Sequence, residues 1–358
     1  MTATVPELTI GLDLGDNNFQ VCVLDKSKRV VDEGSHRTNP EVVRALFESF
    51  RGKQVRVVFE VGSQSRWVQK LARECGIEDV IAADPRQLAL ITQSLKKCDQ
   101  RDAFVLALAG LSMPELLSPV EHVSDEIFAD RALLETRALL VRSRTQVICR
   151  IRSLIKAFGG KLPRCGSESF HCKVAEQIPE PLRPACKPLL SILESLDEQI
   201  DELEKALCKL AKAKYPIVAK LQEIPGVGIL IALSFVLTVG DPSRFEDTRQ
   251  IGAFFGLTPR KQQSGSSNPQ LGITKAGNSG MRRLLVLGAH CLISRGEDCS
   301  LKRWGLALCE RGGRNAKKRA VIAVARKLAV VMLAVWKSAA DFDPWRGVPL
   351  SERITSAA

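Results

Sequence analysis

The hydrophobic pattern of this chain changes rhythm twice. In the first part, Leu8-Thr9-Ile10-Gly11-Leu12 suits a buried strand leading up to Asp13, Gly15 turns the chain, and Phe19-Gln20-Val21-Cys22-Val23-Leu24 returns with period-two alternation. A hairpin is expected, with a carboxylate in the middle to late part of its first strand. Val55 to Phe59 reads as a third strong strand ending on Glu60. Gln64 to Cys75 has helical spacing, and Val80 to Ala83 is a short strand stopped by Asp84-Pro85. Helices are expected over Arg86 to Leu95 and Arg101 to Leu111. Strands separated by helices imply an α/β sheet covered on both faces.

From Asp125 the period lengthens. Leu133, Leu140, Val147 and Leu154 recur every seven residues, with Leu134, Val141, Ile148 and Ile155 beside them, until Gly159-Gly160 ends the run. A Pro-rich, Cys-containing connection spans roughly Lys161 to Pro188. Leu189, Leu193, Leu196, Ile200, Leu203, Leu207 and Leu210 then step by four and three. This is the seam of an antiparallel coiled-coil hairpin, whose partner is intramolecular, another subunit, or both. Tyr215-Pro216 closes it. Beyond Leu221 the chain is helical and basic, and the tail after Pro344 is expected to be loosely ordered. The domains expected are therefore 1–120, 121–214, 215–345 and a tail over 346–358.

Composition adds a partner class. Lys and Arg outnumber Asp and Glu by 52 to 40, a net charge of +12, which favours a polyanion, nucleic acid ahead of a membrane surface. The longest apolar run, Ala329 to Trp336, is too short to span a bilayer, and no basic-then-apolar export segment opens the sequence. Eleven scattered cysteines without a CxxC pair suit a reducing cytoplasm. Cys165, His171 and Cys172 are the nearest approach to a metal cluster.

Four groups of residues could carry chemistry. Asp13, Glu60, Asp99 and Asp102 are the first, because strand ends and a helix start can converge, and gathered carboxylates are hard oxygen ligands for Mg²⁺. Singly, Asp99 reads as a helix N-cap and Glu60 as a solvated strand end. The second is Pro225-Gly226-Val227-Gly228, which has the form of a helix-hairpin-helix turn holding a DNA phosphate, or of a plain turn between helices. The third is the polar loop Gly256 to Ser267 running on to Leu271–Asn278, which offers serine hydroxyls but no adjacent base, so a flexible exposed loop reads as well. The fourth is a basic cluster from Lys302 to Lys327, including Arg314, Lys317, Lys318 and Arg319, a phosphate-contacting surface or a solvated face.

Together these stretches resemble the transposases of the IS110 type, including the IS1111 group, and the related DNA invertases of the Piv type. The resemblance rests on the order of the four acids, the coiled coil, PGVG at 225–228, GLTPRKQQSG at 256–265 and LGITKAGNSGMRRLLV at 271–286. It implies a RuvC-like (RNase H-like) N-terminal domain with Asp13, Glu60, Asp99 and Asp102 as its Mg²⁺-binding DEDD set, and a mainly helical C-terminal transposase domain. It implies recombination of donor and target DNA through a serine joined covalently to a 5′ phosphate, guided by a structured bridge RNA. It also implies dimers that assemble into tetramers, in the bacterial cytoplasm at the nucleoid. Ser264, directly before Gly265, is the implied nucleophile. Because Ser-Gly-Ser-Ser stands where many members read Ser-Ser-Gly-Gly, Ser266 and Ser267 stay open. The implied nucleic-acid contacts are Gly226, Gly228, Arg260, Lys261, Lys275, Arg282, Arg283, Arg314, Lys317, Lys318 and Arg319.

Three other readings compete. A hydrolytic RuvC-like nuclease of the junction-resolvase type would use the acids to activate water. A sugar or acetate kinase of the actin-like class also carries Asp-Leu-Gly after a first strand, but needs a second phosphate loop that is not found here. A DNA-binding scaffold leaves the four acids unexplained.

Overall fold

The computed structural model describes residues 6–85, 99–117, 119–263, 269 and 271–346, without the side chains of residues 99 and 100. The chain divides into two compact units, 1–122 and 123–358.

Unit 1 is built on a five-stranded mixed sheet. Its strands are β1 (Leu8–Leu14), β2 (Asn18–Asp25), β3 (Val30–Arg37), β4 (Val55–Glu60) and β5 (Asp79–Ala83), in the order β3-β2-β1-β4-β5. β1 pairs antiparallel with β2, and β2 with β3, whereas β4 lies parallel to β1 and β5 parallel to β4. Alternation divides β1 between two faces. Ile10 and Leu12 enter a core with Phe19, Val57 and Phe59, closed by α1 (Pro40–Glu48) and α2 (Ser65–Glu74) through Phe47 and Val68. Thr9, Gly11 and Asp13 face the other way, toward α3 (Asp99–Ser112).

β3 and α1 are additions to the elements expected from the sequence. β3, Val-Val-Asp-Glu-Gly-Ser-His-Arg, is an edge strand exposed along most of its length, so it lacks the alternation that marks a half-buried strand. α1 is short, and its signature is local: Asn39 caps it by accepting from Val42 N–H at 2.9 Å, with Pro40 in the first turn. The helix expected over 86–95 lies outside the described residues.

Arg56 fixes where α3 ends. It is 7% exposed on β4, donates Nε–H to Asp79 Oδ2 at 2.8 Å, and donates through Nη1 to the Gly110 carbonyl at 2.8 Å. A guanidinium buried on a sheet needs such partners.

Unit 2 begins with α4 (Asp125–Ala157), capped by Ser124 and led by Asp125 and Glu126, and continues into α6 (Arg183–Lys214). The two run antiparallel: Arg137 donates to Glu204, Arg144 Nη1 to Asp197 at 2.6 Å, and Tyr215 Oη to Asp130 at 2.8 Å. Leu193, Ile200 and Leu207 are buried, one per heptad. The connection is shorter than the sequence suggests, because α6 starts at Arg183 and includes Pro188. Pro184 suits a first turn, where its missing N–H has no partner to lose, and Pro188 follows one turn later. Between the long helices, α5 (Phe170–Val174) packs with Ile151, Ile155, Cys186 and Leu193 into a small core of its own. His171 Nδ1 lies 3.3 Å from Asp197 Oδ2, so its neighbour is a carboxylate on α6.

The remaining helices form the second core: α7 (Ile217–Gln222), α8 (Ile229–Val239), α9 (Gln250–Phe254), α10 (Ser279–Arg295), α11 (Ser300–Glu310) and α12 (Ala316–Ser338). Of the tail expected to be loosely ordered, residues 347–358 lie outside the described residues. The Pro344 carbonyl accepts from Ser300 N–H at 2.9 Å at the start of α11, and Arg303 lies over the Trp345 ring at 4.6 Å. Among the described residues no helix is long and apolar enough to cross a membrane.

Candidate functional site

In unit 1 the acids come from three elements that end together. The β1–β4 register aligns Leu12 with Phe59, so Asp13 and Glu60 follow side by side at the carboxyl ends of two parallel strands. Each is two residues beyond a position that faces α3: Gly11, where a Cβ would run into Ala103, and Val58, which packs with Leu106 and Ala109. α3 runs back along β1. Gly110 lies against Val58 and Thr9, Ala107 and Ala103 lie over Gly11, and the first turn with Asp102 therefore extends toward the Asp13 end. Asp99 is the first residue of that helix; its side chain lies outside the described set. Across the sheet, Asp13 pairs with Gln20 and Gln20 with Ser35, and Gln20 Nε2–H donates to Ser35 Oγ at 3.0 Å. The end of this face is thus a polar row at the edge of an apolar one.

Gly11 makes the arrangement possible. A Cβ there would lie 2.0 Å from the Ala103 carbonyl oxygen and 2.5 Å from Ala107 N, so only glycine lets α3 sit this close.

Among the described residues, no group of three or more His, Cys, Asp or Glu side chains is gathered tightly enough to hold a metal ion. The donor chemistry nevertheless fits Mg²⁺. The converging groups are carboxylates, hard oxygen donors, and Mg²⁺ is commonly held by one or two carboxylates together with waters and substrate phosphates rather than by a protein cage.

A hydrogen-bonded strap closes the unit behind this end. Ser65 Oγ lies 3.0 Å from His122 Nε2, His122 N–H donates to Gln69 Oε1 at 3.4 Å, and Arg73 donates to both oxygens of Glu121. Burial, and the positive charge of Arg66 and then Arg73, hold the His122 imidazole below its ordinary 6.5, with Glu121 opposing. A base with a depressed folded-state pKa binds fewer protons when folded, so stability is full above about pH 6.5 and declines as pH falls through the folded value. Unit 1 is expected to lose stability in mild acid, and His122→Gln to flatten that part of the profile; urea melts from about pH 7.5 to about pH 5 would measure it, and an unchanged slope would refute it.

In unit 2, residues 256–260 and 272–277 lie side by side as the two sides of a stalk, bridged antiparallel at Pro259 and Ile273. Arg260 N–H donates to the Gly272 carbonyl at 2.9 Å, Thr274 N–H to Thr258 at 2.9 Å, and Lys275 N–H to Gly256 at 3.1 Å. Two glycines anchor it. Gly256 (φ +64°) would place a Cβ 2.2 Å from Ala276 N, and Gly277 (φ +65°) 2.0 Å from the Phe254 carbonyl oxygen. Asn278 caps α10 by accepting from Met281 N–H at 2.8 Å, and Arg282 Nη1 donates to the carbonyls of Ala276 and Phe255 at 2.6 and 3.1 Å. Arg282, expected as a nucleic-acid contact, thus clamps the stalk to the helix. Ser264, Ser266 and Ser267 lie outside the described residues.

The other expected contacts divide. Arg260, Lys261, Lys275, Arg283, Arg314, Lys317, Lys318 and Arg319 are exposed. Gly226 (φ +85°) is held by packing, since a Cβ there would come within 2.6 Å of the Gly288 carbonyl oxygen, while Gly228 starts α8. The cavity at this turn, about 470 Å³, is lined by Glu223 and Glu297 as well as Arg295, a balance poorly suited to phosphate.

Comparison with known proteins supplies the context. A profile of the transposase IS116/IS110/IS902 family matches residues 218–304, and a DEDD transposase profile of the IS110 type matches residues 10–159. The transposase for insertion sequence element IS1111A of Coxiella burnetii is 33% identical over 91% of this chain and 88% of its own length. The transposase for insertion sequence element IS1328 of Yersinia enterocolitica is 32% identical over 92% and 97%. Thermus thermophilus RuvC is similar over 31% of this chain and 98% of its own, at 13% identity and a TM-score of 0.25. With the two profiles matching successive stretches of the chain, and this identity running along nearly its whole length, the chain belongs to the IS110 family of insertion-sequence transposases.

Proposed function

We propose that the chain is a DNA recombinase that cuts and joins strands through a serine nucleophile, with Asp13, Glu60, Asp99 and Asp102 as its metal-binding acids and a structured RNA as its guide. The supporting observation is that β1, β4 and α3 deliver acids to one end of one sheet face, and carboxylates are the hard oxygen donors that Mg²⁺ takes. Mg²⁺ bound there would neutralise charge developing on the phosphoryl oxygens. The chain's own residues do the rest. Ser264 Oγ, carried by the loop that joins the two sides of the stalk, attacks phosphorus and loses its proton. The bond to the 3′ oxygen breaks, and that oxygen takes up a proton as a free 3′ hydroxyl, leaving a 5′ phosphoserine. The exposed Arg260, Lys261 and Lys275 on the stalk, and Arg314 to Arg319 before and within α12, hold phosphates without reading bases. The working assembly is a dimer that joins another into a tetramer.

The test is incubation of full-length protein with its guide RNA and end-labelled DNA, followed by denaturing electrophoresis with and without protease. A protease-sensitive adduct is expected, lost in Ser264→Ala and kept in Ser266→Ala and Ser267→Ala. Cutting by Ser264→Ala without any adduct would instead identify a hydrolytic nuclease in which the acids activate water. Loss of the adduct only in Ser266→Ala or Ser267→Ala would shift the nucleophile within the loop.

A further inference from the structure

Unit 2 holds an open cleft of about 670 Å³ that none of the chemistry above uses. Its size lies within the range of small-molecule sites. Its walls come from α4, α8 and the first turns of α10, and Asn278 and Ser279 on its rim directly follow Gly277, the residue that locks the stalk.

Its lining combines three features. Leu134, Leu230, Leu284 and Leu287 supply apolar surface, and Leu287 is 56% exposed. Four arginines reach it against a single glutamate. Arg131 is engaged by Glu135 at 2.8 Å and Arg137 by Glu204, whereas Arg142 and Arg283, from α4 and α10, are exposed and have no ion-pair partner among the described residues. Ser234, on α8, is 9% exposed and lines the cleft; its hydroxyl has no hydrogen-bond partner among the described residues and opens onto the cleft, where it can donate to or accept from a ligand.

Charge separates the possible occupants. A second copy docking through the same face would set the two unpaired arginines of one copy against the same two of the other. A nucleic-acid strand meets the two unpaired arginines with opposite charge. A base still stacked in its strand cannot enter a cleft of this volume, whereas an unstacked nucleotide can place its phosphate at the rim and its base inside.

We propose that this cleft is a subsite for one unpaired nucleotide of the strand handled by the Ser264 loop. Arg142 and Arg283 bridge the phosphate, Leu284 and Leu287 support the sugar and base, and the Ser234 hydroxyl hydrogen-bonds the base edge. The assignment rests on the nucleic-acid reading above and extends it to a distinct surface.

The test uses full-length protein, a labelled oligothymidylate and a labelled duplex of equal length, with affinities measured by anisotropy across a salt series. Arg142→Ala and Arg283→Ala, both at exposed positions, are expected to weaken single-strand binding about tenfold each. Each should also lower the slope of log affinity against log salt by about 0.7. Ser234→Leu, which fills the cleft, should weaken the single strand but not the duplex, and leave the slope unchanged. Lys209→Ala, removing the same charge outside the cleft, should change none of these. The proposal is overturned if the two arginine variants follow Lys209→Ala, or if Ser234→Leu weakens both probes alike. It is overturned too if Leu287→Glu lowers the solution mass while single-strand affinity holds, which would mark an interface between copies. Wild-type protein that binds neither probe at any salt would overturn the functional reading as well; normal wild-type binding with indifferent cleft variants would overturn only the cleft.

Discussion

Asp13→Asn is expected to cut DNA at least about 10³-fold more slowly while folding and binding nucleic acid like the unaltered protein. The change keeps the shape of the side chain and removes one charge. Asp13 stands at the end of β1 beside Glu60, with the first turn of α3 extending toward it. Metal-borne charge stabilisation in phosphoryl transfer amounts to several kcal/mol, and about 1.36 kcal/mol is tenfold in rate, so losing one of its ligands reaches that size. Binding should survive, because the basic residues of the stalk and α12 are untouched. Single-turnover cleavage, thermal melts and Mn²⁺ titration by electron paramagnetic resonance would separate these effects. A folded variant cleaving within tenfold of wild type would remove Asp13 from the chemistry. Asp102→Asn should behave the same way.

Gly11→Ala is expected to have the second largest effect, and to act through the fold. The added methyl would sit 2.0 Å from the Ala103 carbonyl oxygen and 2.5 Å from Ala107 N, both backbone atoms that no rotamer change can move aside. α3 must lift from the sheet. Its far end is held by Arg56 on Gly110, which itself rests on Val58, so the helix would tilt or that bond would break. Overpacking of this kind costs about 1–3 kcal/mol, which lowers the melting temperature of a unit this size by roughly 5–15 °C. Cleavage should fall further than stability, because tilting displaces Asp99 and Asp102 from the strand acids. An alanine variant that melts and cleaves like wild type would show that α3 does not pack here as described.

Much of this was readable in the chain, unevenly. Short apolar runs located β1, β4 and β5, and period-two alternation located β2, because each buries at least one face; β3 escaped because an exposed edge strand carries no such signal. The heptads located α4 and α6, but Pro188 hid the start of α6, since the rule that proline breaks helices is weakest in the first turns. The lone glycine in the middle of β1 was a legible hint of close approach. What it approached was not legible, because Ala103 lies far along the chain, beyond four more strands and two helices among the described residues. Arg56 interrupts an apolar strand, and only its partners Asp79 and Gly110 give it a role. Lys-Ala-Gly-Asn at 275–278 was recognisable as a motif, yet its glycine serves the Phe254 carbonyl and its asparagine caps α10, both structural tasks.

Taken alone, the order of residues determined the kinds of element, the four acids and the serine-rich loop as candidates, and the basic balance that calls for a polyanion. These follow from local periodicity, side-chain chemistry and net charge, none of which needs a partner in space. The tertiary structure decided which face Asp13 shares with Glu60, the closeness of α3 that Gly11 allows, the clamping role of Arg282, and the joining of Arg142, Arg283 and Ser234 into one cleft. Each of these is a contact between segments far apart in the chain, set by how helices and strands bury their apolar faces together, and no window of sequence contains it.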